Sequence, residues 1–162
     1  MATAIRENIL DALETMLGTL SVSNGYRTEV ATVEVQAKDW AELARSLSNS
    51  TDGAWLGIVP QEETYVDRPG IVESTWNIAI IAHIKLATKT AAAATKASSD
   101  LATDIRKLLY DTNGGTLGVS GVHFVRVTRR QSSTASPEAI QERWSTTRID
   151  LSVRFEEAAS LS

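Results

Sequence analysis

The sequence predicts an α+β domain: a mostly antiparallel sheet of about four to five strands, with two main helices and one short helix packed on it. Three observations predict it. Two long segments carry apolar residues at three- and four-residue spacing, several others alternate apolar with polar residues, and the order is helix, strand, short helix, strands, long helix, strands. With 162 residues the chain is long enough for one well-filled core, so a single domain over 1–162 is expected.

The first helix is expected over Ala4 to Leu17, where Ile5, Ile9, Leu13, Met16 and Leu17 form one apolar stripe. Gly18 and Ser21-Val22-Ser23 end it. Asn24-Gly25 then supplies positions for positive φ and a sharp turn. From Tyr26 to Val35 apolar and polar residues alternate, as in a strand with one buried face. Asp39 reads as the N-cap of a short helix with Trp40, Leu43, Ala44 and Leu47 inward, and Ser48 to Gly53 as a polar connection. Ala54 to Val59 is expected as a short strand closed by Pro60, followed by an exposed loop from Gln61 to Gly70.

The strongest strand runs from Ile71 to about Leu86. Trp76, Ile78, Ile80, Ala82, Ile84 and Leu86 share one face, while Asn77, Ala79, Ile81, His83 and Lys85 share the other. Thr90 to Asp111 predicts the long helix, buried through Leu101, Ile105, Leu108, Leu109 and Thr112 and stopped by Asn113-Gly114-Gly115. Two strands finish the chain, about Gly121 to Arg130 and Arg143 to Glu156, joined by the Gln131 to Gln141 connection. In the second, Ile149, Leu151, Val153 and Phe155 alternate with polar residues.

Chemistry is sparse. There are no cysteines, which excludes disulfides, thiol nucleophiles and thiolate metal sites, and only two histidines, His83 and His123. The two histidines have the chance to approach each other across the sheet, but without a carboxylate cluster they make a poor metal site. The glycine-rich run Gly114 to Gly121 stands in the order helix, glycines, strand, opposite to a phosphate loop, and lacks that loop's lysine. Glu62-Glu63 and Glu156-Glu157 are neighbours in extended chain, so each doublet points its two acids to opposite faces. No nucleophile elbow is present. Neither an enzyme nor a cofactor or metal is expected. The opening residues lack the uninterrupted apolar core of a signal peptide and no apolar run suits a bilayer, so synthesis in a cytoplasm and no membrane partner are expected.

Charge is uneven. The net charge of -4 divides into 5 basic and 11 acidic residues up to Gly70 and 11 basic and 9 acidic from Ile71 onward. Such polarity suits a subunit that meets copies or partners through opposite faces. Arg126, Arg129, Arg130, Arg143, Arg148 and Arg154 lie on the last two strands or at the base of their connection. Three roles are open to them: ion pairs between subunits, a solvated sheet face, or contact with nucleic-acid phosphates. Gln61, Glu62, Glu63 and Asp67, with Gln131, Ser133 and Glu138, form polar segments suited to a partner, ordering on contact.

The opening helix, the Asn24-Gly25-Tyr26 turn and the Thr28-to-Val35 strand resemble the start of tail-terminator (tail-completion) proteins of long-tailed bacteriophages. The resemblance returns at Arg68-Pro69-Gly70, entering the central strand, and in the finish of helix and strand pair. It implies a structural virion protein at the tail-neck end, made in the host cytoplasm. Such proteins cap the tail tube as a ring, typically of six copies, end its polymerisation and form the interface for head-neck joining. The implied partners are further copies of the chain, the tail tube protein, the head-neck connector or stopper and, in contractile tails, the sheath. Genomic DNA passes through the lumen without its sequence being read. The alternatives are a head-completion or stopper protein of the neck, and a small non-enzymatic ligand- or nucleic-acid-binding domain.

Overall fold

A computed structural model describes residues 2–35, 53–86, 90–132 and 144–158. Helix α1 (Ala2–Leu17) is followed by a short 3-10 turn, Val22–Asn24, and strands β1 (Val30–Val35), β2 (Ala54–Arg68) and β3 (Ile71–Lys85). Helix α2 (Ala91–Asp111) then leads to β4 (Val122–Ser132) and β5 (Trp144–Ala158). The five strands form one sheet in the order β1-β2-β3-β5-β4, with β1 parallel to β2 and every other pairing antiparallel. The fold is α+β, with both helices on one face of the sheet.

Alternation decides which face they cover. Ile78, Ile80, Ala82 and Ile84 of β3 and Ile149, Leu151, Val153 and Phe155 of β5 are buried beneath the helices. From above, α1 contributes Ile9, Leu13, Met16 and Leu17, and α2 contributes Leu101, Ile105, Leu108 and Leu109. Truncating a fully buried ring such as Phe155 to alanine costs about 3–5 kcal/mol. Trp76 meets Phe155 edge to face at 6.4 Å.

Helix ends follow the expected chemistry. The hydroxyl of Thr90 accepts from the Ala93 N–H at 3.1 Å and caps α2. Past its last turn, Asn113 and Leu117 adopt positive φ together with the neighbouring glycines. The turn after α1 is tied by the Asn24 side chain, which donates to the Thr19 carbonyl at 2.8 Å, and only Gly25 of the Asn-Gly pair takes positive φ.

Two expectations need correction. The strand expected from Tyr26 begins its ladder at Val30; the N–H groups of Arg27 and Thr28 donate instead to the carboxylate of Asp104 on α2, at 3.0 and 2.7 Å. Two of its N–H groups thus go to a helix side chain, and it reaches β2 only at its end, where the Glu29 carbonyl accepts from the Ala54 N–H at 2.7 Å. More consequentially, Gln61 to Arg68 is no loop: β2 continues through Pro60 to Arg68. A bulge between Pro60 and Glu63 absorbs the proline, and the Trp76 indole donates to the Gln61 carbonyl there at 3.3 Å. Pro69-Gly70 then makes the tight turn into β3. The polar segment 61–67 is thus already ordered as strand, not a segment awaiting a partner. The short helix expected around Asp39 to Leu47 and most of the Gln131 to Gln141 connection lie outside the described residues.

Candidate functional site

The sheet face turned away from the helices carries the polar half of each strand. Across β2, β3, β5 and β4 it forms a shallow depression of about 510 Å³. Glu62 and Gln61 line it from β2, Asn77 from β3, Arg148 and Asp150 from β5, and Thr128 and Arg129 from β4. At the other end of this face the strands are less polar. There His83 lies level with Trp55 and Thr146, and its Nδ1 shares a 3.0 Å hydrogen bond with the Thr146 hydroxyl. Burial lowers the pKa of His83 and favours the neutral ring.

The arginines divide by strand alternation. Arg148 and Arg154 share the open face; the first is paired to Asp150 at 2.8 Å and the second to Glu73, which Arg68 also meets at 3.4 Å. Arg148 is thereby neutralised, whereas Arg154 shares the single carboxylate of Glu73 with Arg68, which leaves that cluster with one positive charge. Arg126 and Arg129 stand exposed on β4. Arg126 lies over the Phe124 ring at 5.7 Å and Arg129 donates to Gln131 at 3.0 Å, and neither has a carboxylate partner among the described residues. Arg130 departs from this group: its side chain reaches Ser98 of α2 at 3.0 Å, on the helix side. Arg143 lies outside the described residues, as do Ser133 and Glu138.

The glutamate doublets do split between faces, as extended chain requires. Glu63 and Glu157 turn to the helix side and both hold Arg6 of α1, at 2.9 and 2.8 Å. The guanidinium also lies 5.3 Å from the centre of the Phe155 ring. Partial burial opposes its charge, but the hydrogen bonds to Glu157 and Glu63 outweigh burial and hold the Arg6 pKa above its ordinary value. Sequence reading missed this clamp because its members are 57 and 151 residues apart. Glu62 is left exposed toward the open face and Asp67 exposed near the hairpin tip, neither with a cationic partner among the described residues.

The histidines do not meet. His83 is level with Thr146, whereas His123 is near the Phe155 end of β5 and pairs with Glu156 at 3.2 Å; roughly nine strand positions at ~3.3 Å each separate them. Among the described residues no group of three or more metal-ligating side chains is present, and no helix is long and apolar enough to cross a membrane. The face offers charged and hydrogen-bonding side chains.

No family model matches the chain, and no curated protein matches it.

Proposed function

We propose that this chain is a structural virion protein of the tail-terminator kind, a ring subunit that caps the end of a phage tail tube. In that role it ends tube polymerisation and forms the interface for head-neck joining. Its partners are further copies of itself, the tail tube protein, the connector or stopper and, in contractile tails, the sheath. Genomic DNA threads the lumen without base reading.

The observation that carries the proposal is the charge on the two flanks of the sheet. The acidic first part of the chain supplies β1 and β2 at one flank, and the basic last part supplies β4 at the other. A closed ring repeats a single heterologous contact, which needs two different and complementary surfaces on one subunit. Asp150 and Glu73 set carboxylates among the arginines of the open face, unlike the uninterrupted basic surface of a dedicated nucleic-acid platform.

Native mass and negative-stain imaging, with and without purified tail tubes, test it. Rings of about six copies, free or at tube ends, are expected. A monomer that ignores tube ends would sink the proposal, and binding to portal-bearing heads in its place would identify a stopper.

A further inference from the structure

We infer that copies of this chain join edge to edge, the Val122–Val127 part of β4 in one copy adding antiparallel to the outer half of β2 in the next. The inference rests on the ring reading and names its contact. Among the described residues, β4 pairs only with β5 and no strand lies along its other edge. Strand β1 covers β2 only over Ala54–Ile58, which leaves Val59–Arg68 paired on one side alone among the described residues. The exposure agrees: Gln61, Glu62 and Thr64 to Arg68 are exposed on one edge, and His123, Arg126, Thr128 and Arg129 on the other.

Both edges are charged, the ordinary protection of an edge strand against aggregation. Here the signs differ. The open half of β2 presents Glu62 and Asp67, while β4 contains arginines and His123 and no acid. Two β2 edges repel, as do two β4 edges, whereas unlike edges attract. Symmetric pairing is thereby disfavoured and head-to-tail pairing favoured.

The ladder also sets the height. Reading across the sheet, Thr64 is level with Thr75, Arg154 and Phe124. Arg126 is level with Ser152 and Asn77, at the β2 bulge that holds Gln61 and Glu62. In a ring whose axis runs along the strands, neighbours sit at equal height, so Arg126 of one copy meets Glu62 of the next. Strand directions make this pairing antiparallel. The irregularity between Val127 and Arg129 falls at the height where the next copy's β1 takes over the β2 edge.

A chain without native cysteines allows a clean cross-linking test. In the Thr64→Cys/Phe124→Cys variant, mild oxidation with diamide should give a ladder of covalent oligomers ending at the ring. Thr64→Cys/Tyr110→Cys, with Tyr110 exposed on α2, should give none. In parallel, Glu62→Arg and Arg126→Glu alone should each lower the ring population about tenfold at low salt, and the double variant should restore it. Circular dichroism and melting verify that each variant folds. Rings by native mass with neither a ladder nor any response to the single reversals would overturn the edge contact and leave the ring reading intact. A ladder without closed rings or tube-end binding would support the edge contact and sink the terminator reading. Monomers throughout, with no ladder, would overturn both.

Discussion

Asp104 shows how one side chain decides a local path. It is 3% exposed and accepts the backbone N–H groups of Arg27 and Thr28, so α2 holds the segment before β1. Asp104→Ala should cost about 2–3 kcal/mol in urea unfolding, because the buried Thr28 N–H loses its acceptor; Asp104→Asn, which keeps one acceptor oxygen, should cost less. His83 gives a pH dependence. Its folded pKa lies below the ordinary value of 6.5, so the unfolded chain takes up the proton first as pH falls. Its contribution to stability is complete above that ordinary value and declines as the pH falls toward the lowered folded one. Melting curves between about pH 7.5 and 5.5 should fall less steeply for His83→Gln than for the parent chain. Gly121 is a third such residue. At φ 93° an added Cβ would stand 2.9 Å from Ile5 and 3.0 Å from the Glu156 carbonyl, so Gly121→Ala should lower stability by about 1–3 kcal/mol in the same urea assay.

At the scale of elements, the periodic segments were legible because periodicity is a local property. The α1 stripe, both faces of β3 and the buried side of α2 stand in the structure where spacing places them, with Thr112 only half-buried. The outer half of β2 was not legible. Pro60 normally closes a strand, and Gln61-Glu62-Glu63 reads as solvated loop; the pairing that overrides both comes from β3, across a bulge no local pattern announces. The Arg6 clamp was hidden for the same reason, since it joins α1, β2 and β5. The basic character of the last two strands was visible, but not its sorting into paired Arg148 and Arg154, helix-facing Arg130 and exposed Arg126 and Arg129. That sorting follows from register and from the bulge before Arg129, which shifts the alternation of β4.

For the whole molecule, the proposed ring makes the flanks of the sheet the surfaces through which copies meet. If their charges carry the contact, raising salt from about 50 to about 500 mM should reduce the ring population in native mass spectra or light scattering, and Arg126→Glu/Arg129→Glu should weaken both rings and that dependence. The position of β5 has a separate consequence, for the ribosome. Strand β5, made after both β3 and β4, lies between them, not at a margin. Until Trp144 to Ala158 emerges, β3 offers newly made chain an unpaired backbone bearing Ile78-Ala79-Ile80-Ile81, while β4 waits without a neighbour. A chain stopped before Trp144 should accumulate as insoluble protein, and supplying the missing strand as a separate peptide should recover soluble material. The late synthesis of β5 thus makes its arrival a condition for covering this edge of β3.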